Sequence, residues 1–175
     1  MFRKLFFILL SLSFIFTNIL WAEVLQEEEL KAVFVYNFLK FIEWPQEIED
    51  QKNQIILCII GKTNLSEYLL SLEGQKIHEK TLIVKPKKDF LNLQKCHALF
   101  IGKLSKNRFK NLLSRTTNEP ILTISDLPNF IYKGGIIELY EEDKKIRFKI
   151  NLRSAHEAKL KISSRLLRLA KEVIK

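Results

Sequence analysis

An α/β fold is predicted, with a mostly parallel sheet and an antiparallel hairpin at its C-terminal side. Three observations carry this. Short apolar runs rich in β-branched residues, at 55–60, 81–84, 96–101 and 120–124, alternate with segments of helical apolar spacing. Clean strand alternation appears only late, at 146–151. No Pro-, Gly- or Ser-rich stretch divides the chain and no domain-sized repeat is present, so these elements belong to one domain. Composition agrees. With 175 residues, 47% of them hydrophobic, five Gly and four Pro, the chain is neither disordered nor collagen-like. Two Cys and three His are too few for a zinc finger or a disulfide-built mini-protein.

Residues 1–22 have the pattern of a secretory signal peptide. Arg3 and Lys4 precede an apolar run from Leu5 to Trp21, and Ala22 stands before an abrupt switch to Glu23. Leu20 is larger than the small residue favoured two before the cut. An uncleaved membrane anchor is the alternative, since the run is near spanning length. Either way residues 23–175, the expected folded domain, lie outside the cytoplasm. Arg3 and Lys4 are the only charges in 1–22, so the formal charge falls from +9 to +7. Export removes nucleic acid as a partner. Anionic lipid, cell-wall polymer or an acidic protein face remain, beside plain solvation by lysine.

Within that domain, Leu30, Val33, Phe34, Phe38, Phe41 and Ile42 predict a helix over 27–43, with acids in its first turn and Trp44-Pro45 as its stop. Phe34, Phe38 and Phe41 share a core stripe. Tyr36 falls off it and is the candidate surface contact. Residues 55–60 predict a strand buried on both faces, followed by a turn at 61–64 and a short helix at 65–72. Residues 81–84 are a second strand, closed by a solvated basic turn, Lys85-Pro86-Lys87-Lys88. Residues 90–93 are a loop or one helical turn, 96–101 the third strand and 106–115 a helix. The fourth strand, 120–124, leads to Ser125-Asp126, where Asp126 can cap a helical turn starting at Leu127-Pro128. Residues 136–140 and 146–150 form the hairpin, with Glu141, Glu142 and Asp143 as solvated tip acids. A short helix over 153–158 follows. Ser163 or Ser164 then caps a last helix carrying Leu166, Leu167, Ala170, Val173 and Ile174.

Two sets of residues could carry function. Cys58 and Cys96 are expected to pair in an oxidising compartment if their side chains meet, or else to serve as two buried thiols. Gly61-Lys62, Gly102-Lys103 and Ser125-Asp126 each follow a predicted parallel strand, so they can converge on one ligand-binding rim. Equally, Gly and Lys are ordinary turn residues. The phosphate-loop and dinucleotide patterns are absent. His78, His97 and His156 sit in no nucleophile motif, and Ser125-Asp126 lacks a nucleophile elbow. No catalytic set, metal set or cofactor is therefore assigned.

The segment Glu29-Leu-Lys-Ala-Val-Phe-Val-Tyr-Asn-Phe-Leu-Lys-Phe-Ile-Glu-Trp-Pro45 resembles the opening of the YfiR-like (HmsC-like) periplasmic family. Leu57-Cys-Ile-Ile-Gly61, Cys96-His-Ala-Leu-Phe-Ile-Gly102, Ile121-Leu-Thr-Ile-Ser-Asp126 and Gly134-Gly-Ile-Ile137 are similar to its later signatures, in the same order. So are Arg147-Phe-Lys-Ile-Asn151 and Leu160-Lys-Ile-Ser-Ser-Arg-Leu-Leu-Arg-Leu-Ala170. The resemblance spans 29–171 and implies a Rossmann-like, three-layer periplasmic domain without enzymatic activity. It implies repression of an inner-membrane diguanylate cyclase through that enzyme's periplasmic sensory domain. Cyclic di-GMP and biofilm output would follow, with relief by envelope signals or an outer-membrane lipoprotein. A homodimer is a further arrangement it admits. The family's cysteine pair carries onto Cys58 and Cys96. A second disulfide found in some relatives has no counterpart here, because 129–137 holds no Cys. The rival expectation is a periplasmic sensor that binds a metabolite or wall fragment at the strand-end rim.

Overall fold

In the computed structural model, which describes residues 26–46 and 53–175, Glu27–Lys40 forms α1. The expected signal peptide lies outside the described residues. Three acids open α1 and Lys40 closes it, which suits the helix dipole. Its buried stripe is Ala32, Val35, Phe38, Leu39 and then Ile42. This is displaced from the expected stripe: Val33 is 39% exposed, while Phe34 and Phe41 are only partly buried. The helix ends at Phe41, and Ile42–Glu43 (β1) pairs antiparallel with Lys161–Ile162 (β9).

The main sheet has eight strands. Gln54–Ile60 (β2) is an interior strand, flanked in parallel by Lys80–Lys87 (β4) and Ala98–Ile101 (β5). Leu122–Ser125 (β6) and Ile137–Glu142 (β7) continue the parallel run. Lys145–Asn151 (β8) returns antiparallel to β7. Two short strands close the edges, Lys76–Ile77 (β3) on β4 and Glu172–Ile174 (β10) on β8. The resulting order is β10-β8-β7-β6-β5-β2-β4-β3.

Strand β2 alternates its side chains between two cores. Leu57 and Ile59 join the larger cluster with α1, Ser66–Leu70 (α2), Leu152–Glu157 (α4) and Ser164–Leu169 (α5). Cys58 and Ile60 join the smaller one with Leu112 of Lys106–Thr116 (α3). The fold is thus a three-layer α/β domain, as expected.

Four local expectations are corrected. Lys85–Lys87 is strand, not turn. Among the described residues no strand covers the outer edge of β4 beyond Thr81, so Pro86, lacking an N–H, is tolerated there. Leu127-Pro128 starts a turn rather than a helix, and its cap is the Ser125 hydroxyl, which accepts from the Leu127 N–H, instead of Asp126. The hairpin connection is tighter than 141–145. Asp143 and Lys144, both at positive φ, make a two-residue turn of the handedness that hairpins prefer. The last helix stops at Leu169, because Ala170 is extended, and Val173 and Ile174 enter β10 parallel to β8. Ser163 is the cap, accepting from the Arg165 N–H.

The loop before β7, where the expected framework lacks a second disulfide, is held by polar groups. The buried Glu138 carboxylate accepts from the Asn129 and Ile131 N–H groups, each at 3.3 Å. The Asn151 amide donates to the Ile131 carbonyl at 2.8 Å.

Candidate functional site

The parallel strands β2, β5 and β6 are neighbours, so their carboxyl ends share one edge of the sheet. There Lys62, Lys103 and Asp126 line one cleft of about 480 Å³. The glycines that precede the two lysines have a packing role. Lys62 and Lys103 exchange two backbone hydrogen bonds, N–H to O at 3.0 and 2.8 Å. Gly61 and Gly102 lie against this clasp. A Cβ on Gly61 would sit 2.8 Å from the Gly102 oxygen, and one on Gly102 would sit 2.6 Å from the Lys62 oxygen. Both turns therefore need glycine for close backbone approach.

Ser125 does not present its hydroxyl to the cleft. It is fully buried and donates to the Ile101 carbonyl at 2.6 Å. Asp126 is at the cleft, where it meets Lys31 of α1. The largely buried Lys31 reaches 3.6 Å from Asp126 and 2.5 Å from Glu27. Glu28 also lines the cleft. In the sequence the signal for this is the acidic run Glu27–Glu29, which also starts the helix. Lys31 one turn later places a cation among them, an i,i+4 pair. The rim is thus a mixed-charge site whose Lys31 and Asp126 are paired with each other.

The network extends to the hairpin. Glu141 faces Glu27, and their carboxyl groups share a hydrogen bond that holds the Glu141 pKa above the ordinary carboxylate range. Lys31, hydrogen-bonded to Glu27, holds that carboxyl below it. The two act oppositely on stability. Glu27 contributes above its unfolded pKa, and the contribution is lost as pH falls through its lowered value. Glu141 binds a proton more readily folded than unfolded, so it favours the fold as pH falls through its raised value. Above that value the two carboxylates repel. Glu141→Gln should therefore raise Tm at pH 7, by about 1 °C given the exposure of the pair, and give no gain at pH 4. Thermal unfolding at both pH values checks this; a lower Tm at pH 7 would contradict it.

Tyr36 is engaged within the fold. Its hydroxyl donates to the Lys76 carbonyl at 2.8 Å, and the Lys40 ammonium stands 4.0 Å from its ring centroid. It couples α1 to β3 and is half-buried. His97 is likewise structural. Its Nδ1 accepts from the Ile56 N–H at 3.0 Å, its carbonyl accepts from the Trp44 indole at 3.0 Å, and its ring meets Trp44 edge-on. This ties the end of α1 to the start of β5.

Cys58 and Cys96 form a disulfide, with Cα atoms 5.8 Å apart and both residues buried in the smaller core. The bond crosses from the centre of β2 to the approach of the adjacent β5. Among the described residues, no group of three His, Cys, Asp or Glu side chains could hold a metal ion, and no helix is long and apolar enough to cross a membrane. A family model described as YfiR/HmsC-like matches residues 28–171.

Proposed function

The chain belongs to the YfiR/HmsC-like family of periplasmic regulators of cyclic di-GMP signalling, and from that premise we propose that it represses a membrane-bound diguanylate cyclase. It does so by binding the cyclase's periplasmic sensory domain, without catalysis of its own. Residues 1–22 act as the export signal and are cut after about Ala22. Residues 23–175 are the working domain. An outer-membrane lipoprotein is the partner that relieves repression.

The observation that carries this reading is the extent of the family match, which takes in strands β1–β9 and, but for Glu27, the helices α1–α5. The chemistry of the rim supports it over a small-ligand sensor. Asp126, the acid at the end of β6, already engages Lys31, so a cationic ligand there would have to displace an internal pair. A protein partner needs no such displacement. Deletion of the gene should raise cellular cyclic di-GMP at least twofold and increase surface adhesion. Complementation with the full chain should reverse both. Unchanged cyclic di-GMP in a strain with a normal envelope would overturn the proposal.

A further inference from the structure

The positive charge of this protein is concentrated in one part of the chain. Residues 90–118 contain six Lys or Arg and no acid, nearly the whole +7 that residues 23–175 carry. In the fold, four of these charges lie on α3, at Lys106, Arg108, Lys110 and Arg115. This helix turns one stripe into the core and leaves a second partly open. Leu112 and Thr116 are buried, whereas Phe109 and Leu113, also one turn apart, are only half covered.

The second stripe opens into a cleft of about 790 Å³ between α3 and residues 127–134. Leu104 and Leu127 complete its apolar floor with Phe109 and Leu113. Lys103, Lys106, Lys110 and Lys133 stand around it, and among the described residues no Asp or Glu lines it. This cleft adjoins the strand-end rim, sharing Lys103 and Leu127 with it, yet its character is opposite. The rim mixes acids with cations, while the cleft is apolar below and of one charge above.

We propose that this cleft is the docking surface for an acidic segment of a partner protein. The segment inserts a large apolar side chain between α3 and residues 127–134 and sets its carboxylates against the lysines. The proposal rests on the regulator reading and names the surface that reading requires. An apolar centre inside a charged rim is the usual anatomy of a protein interface, and a one-signed rim selects a partner of opposite sign. The apolar groups decide between partner classes. A bilayer is entered by protruding apolar side chains, but these are recessed and must be reached by a protrusion from the other side. A single anionic head group would engage one or two lysines. Here Lys103, Lys106, Lys110 and Lys133 surround the apolar floor from separate segments, which matches a peptide segment bearing several carboxylates.

Photocrosslinking in cells that export the full chain tests this. Lys110→p-benzoylphenylalanine places the crosslinker at the cleft, and Glu67→p-benzoylphenylalanine, exposed on α2, places it on the opposite layer. The expected result is a protein adduct from position 110 and none from 67. Its attached peptide should carry at least two Asp or Glu beside a large apolar residue. Adding Lys103→Glu and Lys106→Glu should cut the adduct at least tenfold while the exported, disulfide-bonded protein stays at its normal level. No adduct, an adduct to lipid, a peptide without acids, or insensitivity to charge reversal would each overturn the proposal. A peptide from an envelope protein other than a cyclase would keep the surface and remove the cyclase reading. Raised cyclic di-GMP on deletion with no adduct would do the reverse.

Discussion

Replacing both cysteines, Cys58→Ala with Cys96→Ala, is expected to destabilise the domain by about 4 kcal/mol. The bond closes a loop between residues 38 apart in sequence. On the chain-entropy model the loss arises mainly in the unfolded state, which regains the freedom the crosslink removed. For a domain of this size it corresponds to a fall in Tm of about 8–16 °C. Alanine is the right replacement because the pair lies in an apolar cluster with Ile60, Leu93 and Leu99. A serine hydroxyl there would add a desolvation cost of its own. Both residues are almost fully buried, at 2% and 4% exposure. A thiol reductant should therefore react only when the fold opens, at a rate that rises with denaturant in step with unfolding. A double variant within about 3 °C of the parent, measured by calorimetry, would show that the loop is already constrained without the bond. Fast reduction under native conditions would show that the β2–β5 junction opens on its own.

Where one physical signal dominated a segment, the sequence was a reliable guide. The run Ile55–Ile60 reads as a strand covered on both faces because both demand apolar side chains, and it lies between two parallel neighbours with a core on each side. The alternation of Ile146, Phe148 and Ile150 placed β8 with its phase correct, all three being buried. The errors fall where local chemistry and tertiary context conflict. Lys85, Pro86 and Lys87 are turn residues by composition, but an uncovered strand edge tolerates them. Val173 and Ile174 keep the helical phase of Leu166, yet the free edge of β8 takes them as a strand. Among the site residues, chain order along the parallel strands was enough to bring Lys62, Lys103 and Asp126 to one edge. It could not reveal that Lys31 arrives from α1, because that contact depends on how a helix more than 20 residues away docks on the sheet. Nor could it show that Gly61 and Gly102 face each other, since only strand register decides this.

That register makes the glycine clasp the second place where a small change should have a large effect. Gly102→Ala adds one methyl group, which would stand 2.6 Å from the Lys62 carbonyl oxygen and 2.8 Å from its carbon. Both atoms are backbone, held by the paired Lys62–Lys103 hydrogen bonds, so no side chain can rotate away. The strand ends must separate. Two hydrogen bonds of about 1 kcal/mol each are then lost, and the total should reach about 2–4 kcal/mol once local packing is included. Gly61→Ala meets the same obstruction from the other side and adds the strain of an L side chain at φ +88°, about 1 kcal/mol more. Gly74 supplies the internal control. Its φ is +81°, but nothing lies within 4 Å of its Cβ position. Gly74→Ala should therefore cost only the strain, about 1 kcal/mol. Urea unfolding of the three variants should rank Gly61→Ala as most damaging, then Gly102→Ala, then Gly74→Ala. If all three cost the same, positive φ and not backbone proximity governs these turns, and the clasp has no role. If the expected order holds, the two clasped lysines owe their common position on the strand-end rim to the absence of two methyl groups. Any side chain at 61 or 102 should then disturb the rim and the adjoining lysine-lined cleft together, because Lys103 belongs to both.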